Sequence, residues 1–188
     1  MTRSQALFLK HLGTSLCVLS VLFVLFVLFV LAPFTPWWPQ PKLSDKNQAS
    51  WFIDIPKIHA SAPIIINVDP WDKNSYQNEL KQGVAHAAGT PLPGDPGTSF
   101  LFAHSSDWPW NITRYNTAFF KIYQLEIGDT ITIYKNGQPL NFTVSEKKVI
   151  RPWESEGLFD QSVNRLILQT CTPIGTDWNR LLLIAKPT

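Results

Sequence analysis

Two hydrophobic patterns divide this chain. From 12 to 32 no residue is charged, and Leu, Val and Phe follow one another with no polar face. A helix apolar all round, rising about 1.5 Å per residue, crosses a hydrocarbon layer of roughly 30 Å. The stretch exceeds the roughly 7–15 apolar residues of a cleavable signal, and proline just past Leu31-Ala32 makes a poor cleavage site. The expectation is an uncleaved transmembrane anchor over 12–32. Beyond it, short apolar runs alternate with turn residues, at 51–55, 62–68, 99–103, 130–134, 141–150, 165–170 and 180–185. Their length and their β-branched and aromatic content predict strands. Thr130-Ile131-Thr132-Ile133-Tyr134 shows the period of two. Asn136-Gly137 supplies the pair that tolerates positive φ in a tight hairpin, before Phe142 and Val144 resume the alternation. Only 73–82 reads as helix, with Tyr76 and Leu80 four apart. Strands so spaced, with little helix, predict an all-β fold closed or nearly closed into a barrel, which also hides strand edges.

The segment 33–50 carries Pro33, Pro36, Pro39 and Pro41, with Trp37 and Trp38 among them. Proline at that density favours extended backbone and predicts a stalk. The paired indoles suit either the lipid headgroup zone or packing on the domain. The organisation is a tail at 1–11, an anchor at 12–32, a Pro/Trp-rich stalk at 33–50 and one domain at 51–188, a length that suits a single core. Arg3 and Lys10 precede the span with no acidic residue, and the first basic residue after it is Lys42. The tail is therefore expected in the cytoplasm and the domain outside, on a single-pass membrane protein. Of the 16 basic residues these two lie before the span, leaving 14 against 14 acidic residues. An exported part so balanced, with no basic stripe, argues against a nucleic-acid partner. Cys17 within the span and Cys171 far outside it cannot pair in one molecule, so no structural disulfide is expected. Acidic residues lack the spacing of a calcium loop and His with Cys is too sparse for zinc, so no metal or cofactor is expected. Asn111-Ile112-Thr113 and Asn141-Phe142-Thr143 fit a glycosylation sequon but carry no weight without a host.

The chemistry concentrates around Cys171. It closes Ile167-Leu168-Gln169-Thr170-Cys171, and nine residues later Arg180 opens Leu181-Leu182-Leu183-Ile184-Ala185. Two antiparallel strands joined by the loop 172–179 bring the end of one beside the start of the next. Thiol and guanidinium would then be neighbours. A nearby cation favours the nucleophilic thiolate and stabilises negative charge on a substrate carbonyl oxygen. The bland alternatives are a buried, inert cysteine and a surface charge at a strand end. Of the four histidines, His11 abuts the span and His59 sits in the connection after the first strand. His86 lies in Gly83-Val84-Ala85-His86-Ala87-Ala88-Gly89, between helix and loop, where backbone groups would satisfy it. His104 ends a strand in Phe100-Leu101-Phe102-Ala103-His104-Ser105. Strand-end placement ranks His104 above His86 without deciding between them.

From about Trp51 to Lys186 the chain resembles the sortases, cysteine transpeptidases that attach proteins to bacterial cell envelopes or polymerise pilins. The matching pieces are Ile53-Asp54-Ile55-Pro56-Lys57-Ile58, Gly83-Val84-Ala85-His86 with Gly89-Thr90-Pro91-Leu92-Pro93-Gly94, Phe102-Ala103-His104-Ser105, and Leu168-Gln169-Thr170-Cys171 with Arg180. The family pattern at the nucleophile is Thr-Leu-x-Thr-Cys, from which this chain departs conservatively at Ile167. Ser105-Ser106 after the histidine, where many relatives have Gly-His-Arg or Gly-His-Asn, is a second departure. The resemblance implies a closed eight-stranded sortase-type barrel with one or two short helices and a catalytic site of Cys171, His104 and Arg180. It implies a thioester acyl-enzyme formed on a sorting motif similar to Leu-Pro-x-Thr-Gly. The implied partners are sorting-signal-bearing secreted proteins and an amine acceptor of the cell envelope or a pilin lysine. The loop from Arg151 to Phe159 is expected to wall the motif groove, although Trp153, Leu158 and Phe159 suit a core equally. Asp69-Pro70-Trp71 is similar to the lid tripeptide of pilin-polymerising members. It follows the Ile-Pro-Lys-Ile segment rather than preceding it, so a lid is rejected here and it reads as a loop ahead of the helix. A second apolar span after the domain, present in many pilin polymerases, is not expected, which leans toward a housekeeping or otherwise divergent anchoring sortase. A peptidase that gives the same thioester to water, and a non-catalytic envelope-binding barrel, are the competing readings.

Overall fold

The computed structural model describes residues 3–31, 49–106, 115, 117–154 and 158–188, with side chains described at 14–28 within the first stretch. All of the expected tail's side chains, the stalk up to residue 48, the sequon at 111–113 and loop residues 155–157 lie outside the described residues. The chain divides into two units, Met1–Pro39 and Gln40–Thr188. The first holds α1, Arg3–Leu31, one helix of 29 residues. Among the described residues no helix is long and apolar enough to cross a membrane.

The second unit is a closed barrel of eight strands: β1 Trp51–Ile55, β2 Ala60–Val68, β3 Val84–Ala87, β4 Thr98–Phe102, β5 Thr130–Lys135, β6 Gln138–Ile150, β7 Arg165–Thr172 and β8 Asn179–Pro187. Around the barrel they run β1-β2-β3-β4-β7-β8-β6-β5, and β5 closes on β1. The pairs β2–β3 and β4–β7 are parallel and the rest antiparallel. One short α-helix, α2 Lys73–Leu80, joins β2 to β3, and single 3₁₀ turns follow β1 and precede β5. Asn136 and Gly137 both have positive φ, at 50° and 79°, between the paired Lys135 and Gln138, as the hairpin motif requires.

The apolar runs account for every strand but β3, which was read as the stretch between helix and loop. Its four residues are all buried, so no polar alternation marks them. Gly83 explains how this strand fits: a Cβ there would collide with the Pro63 carbonyl oxygen, so only glycine allows β3 so close to β2. The interior is filled by fully buried side chains including Ile53, Ile55, Leu101, Ile131, Ile133, Leu166 and Leu168. Each contributes roughly 1.5–3 kcal/mol over its exposed state.

Candidate active site

The register of three neighbouring strands builds the site. β4 and β7 run parallel with Phe100 beside Ile167 and Phe102 beside Gln169, and β8 runs antiparallel to β7 with Cys171 directly opposite Arg180. Successive side chains alternate between faces. One face therefore carries Leu101, Leu166, Leu168, Leu181 and Leu183 into the core. The other carries Phe100 and Phe102, Gln169 and Cys171, and Arg180. Two hydrogen bonds carry the β4–β7 register past the end of β4: the Ala103 N–H donates to the Gln169 carbonyl at 3.2 Å, and the Thr170 hydroxyl donates to the Ala103 carbonyl at 2.9 Å. His104, the next residue, thus stands alongside Cys171.

This outward face is covered a second time. α2 brings Tyr76 edge-on to Phe102, with ring centroids 5.9 Å apart and planes at 89°. The β6–β7 connection brings Phe159 onto Phe100 at 5.0 Å and buries Leu158. Its base is clamped at Thr98, whose hydroxyl lies 2.5 Å from the Asp160 carbonyl and accepts from Arg165 Nε at 3.1 Å. Between the coverings lies an open cleft of about 220 Å³, lined by Cys171, His104 and Arg180, with Tyr76, Phe102 and Gln169 among its other walls. Trp153, open to both readings from sequence, is exposed under the Arg151 guanidinium, whereas Leu158 belongs to core and cleft together.

Cys171 is half-buried and free. Burial pushes its thiol above the usual range; the Arg180 guanidinium pulls it down and the Asp177 carboxylate pushes it up. The cation expected to favour the thiolate does act in that direction, but desolvation outweighs it. Arg180 is aimed by its own loop: Nη1 donates to the Asp177 carbonyl at 2.8 Å and to that of Asn179 at 3.3 Å. The same loop is tied to the histidine segment by the Gly175 N–H, which donates to Ser106 Oγ at 2.9 Å.

The competing histidine has a structural environment. His86 is buried in β3; its Nδ1 accepts from the Asn67 N–H at 3.3 Å, and Nε2 lies 3.0 Å from both the Pro91 carbonyl and the Thr90 hydroxyl. Burial holds its pKa below the usual imidazole range, against the opposing hydrogen bonds to Pro91 and Thr90. His59 is an exposed residue with φ 54° at the end of a 3₁₀ turn, and the side chain of His11 lies outside the described residues. Among the described residues no three His, Cys, Asp or Glu side chains gather as metal ligands.

A thiol paired across two strands with a guanidinium, and flanked by an imidazole at the end of a third, sits within a match to the sortase domain that covers residues 53–188. The chain belongs to the sortase family. It is 24% identical over 146 residues to Sortase D of Bacillus subtilis, covering 76% of this chain and 65% of that protein. Its fold is similar to that of sortase C-1 from Actinomyces oris, with 31% identity, a TM-score of 0.61 and coverage of 73% of this chain and 72% of that one. Sortase C1 of GBS Pilus Island 1 is similar at 28% identity and a TM-score of 0.62, covering 73% of this chain and 63% of that one.

Three features of this sortase escaped the sequence reading. Pro70 and Trp71, read as a loop ahead of the helix, do precede α2, and they also line the cleft. Ser106, noted only as a departure from the family pattern, anchors the loop that carries Arg180. Tyr76, read as half of a helical apolar pair, lines the same cleft as the thiol. Its spacing from Leu80 identified the helix and was silent on where the phenol pointed.

Proposed function

We propose that this protein is a membrane-anchored cysteine transpeptidase that cleaves a C-terminal sorting motif similar to Leu-Pro-x-Thr-Gly and transfers the cleaved protein to an amine. In this reading Cys171 Sγ attacks the scissile carbonyl carbon, and Arg180 stabilises the oxygen that becomes negative. The C–N bond breaks as His104 protonates the leaving amine, which leaves a thioester on Cys171. An incoming amine then gives its proton to His104 and attacks the thioester; the C–S bond breaks and the thiolate is regenerated. Burial raises the Cys171 thiol pKa, so the nucleophilic thiolate is the minor form of this thiol at neutral pH. The observation that carries this reading is the direct pairing of Cys171 with Arg180, with His104 on the same cleft.

The anchor is assigned to the uncharged stretch 12–32, which falls largely within α1, with the tail cytoplasmic and the catalytic domain outside. The donors are then secreted proteins bearing a sorting signal. The acceptor is an envelope amine, with a pilin lysine retained because a similar structure is named for a pilus island. The test is to incubate the full chain in detergent micelles with a library of sorting peptides and an amine, then weigh the products. The expected products are the amide of the amine and the released C-terminal fragment, and Cys171→Ala abolishes both. Free acid in place of amide identifies a hydrolase, and full activity in Cys171→Ala overturns the mechanism.

A further inference from the structure

Tyr76 lines the same cleft as Cys171 and Arg180. It comes from α2, whereas thiol and guanidinium come from the strands beneath. Its ring has an evident packing role, edge-on against Phe102 two residues before His104. A phenylalanine would make that contact equally well, so the packing leaves the hydroxyl unexplained. Among the described residues no hydrogen bond to that hydroxyl is formed, and the side chain is half-buried at the cleft. That hydroxyl is not sealed away from water, so at the cleft it is a donor available to a bound substrate.

We propose that Tyr76 is a further catalytic residue, whose phenolic O–H donates a hydrogen bond to the scissile carbonyl oxygen as that oxygen becomes negative, together with the Arg180 guanidinium. The inference rests on the transpeptidase reading above. Sulfur attack fixes where the negative oxygen forms, on the carbon bonded to Sγ and therefore in the cleft between strand floor and helix wall. A donor from the strands and a donor from the helix both line this cleft, so both are available to an oxygen formed within it. Electrostatics agree with this placement. Burial raises the Tyr76 pKa above its ordinary value, a Cys171 thiolate raises it further, and Arg180 lowers it. The phenol feels both reacting partners and stays protonated, hence a donor, at any pH near neutral.

Tyr76→Phe removes the O–H and keeps the ring contact, so the fold is retained. In the full chain in detergent, with a cleaved sorting peptide and an amine, kcat/KM falls by about 10²-fold, carried by kcat with KM nearly unchanged. Replacing Tyr76 with a ring-fluorinated tyrosine of lower pKa strengthens the donor and raises kcat above that of Tyr76→Phe, a response that a packing role does not produce. Alkylation of Cys171 by iodoacetamide counts intact thiols in each variant. A Tyr76→Phe enzyme that matches wild type, or one whose loss lies wholly in KM, overturns the inference and leaves the transpeptidase standing. A wild-type chain whose Cys171 alkylates but which processes no sorting peptide overturns the transpeptidase reading and this inference with it.

Discussion

The β5–β6 side of the barrel and the β4–β7–β8 side are built from similar apolar sequence yet end in different environments. β5 alternates strictly, with Ile131 and Ile133 buried and Thr130 and Lys135 exposed, so one face is core and the other faces solvent. β4 is buried along its whole length, and β8 is buried continuously from Leu181 to Ala185. A sheet buried on one face is a wall, whereas a sheet covered again by α2 and the β6–β7 connection has a second interior. The cleft is the part of that second interior left unfilled. Cys171 acquires its half-buried thiol there because its strand, unlike β5, is covered from outside.

The largest break in this comparison comes from emptying the second interior. Phe102→Ala removes the ring beneath Tyr76 and should destabilise the barrel by about 3–5 kcal/mol in denaturant unfolding. Thr132→Ala on the singly covered β5 should stay within about 0.5 kcal/mol of wild type. Next in size, Arg180→Gln should lower peptide transfer by about 10²–10³-fold. The same change should move the alkaline inflection of Cys171 alkylation upward, because the guanidinium is the influence that lowers the thiol pKa. An unchanged inflection would separate the two side chains electrostatically despite their paired backbone positions.

The smallest effect sharpens the contrast between the two histidines. The folded-state pKa of His86 lies below its unfolded value of about 6.5, so the unfolded chain takes up the proton first. Stability contributed by neutral His86 is present above about pH 6.5 and is lost as pH falls through the depressed value. Thermal midpoints measured from pH 7.5 to about 5 should fall, and fall less steeply in His86→Gln than in wild type.

Much of this organisation was legible because it is periodic or locally encoded. The alternation of Thr130 to Tyr134, the Asn136-Gly137 turn and the apolar runs ending at Cys171 and beginning at Arg180 each follow from backbone geometry that neighbouring residues dictate. β3 was not legible, since a four-residue strand buried on both faces carries no period and depends on Gly83 meeting Pro63. Nor did strand-end placement alone separate His104 from His86. The resemblance to the sortases had named His104, and the structure puts His104 on the cleft with Cys171 while Asn67, Thr90 and Pro91 enclose His86. By itself, then, the sequence determined the strands and the candidate nucleophile, because pattern and turn chemistry act over a few residues. Tertiary structure alone decided which tyrosine and which loops line the cleft with the thiol, because those contacts join segments far apart in the chain and no local pattern encodes them.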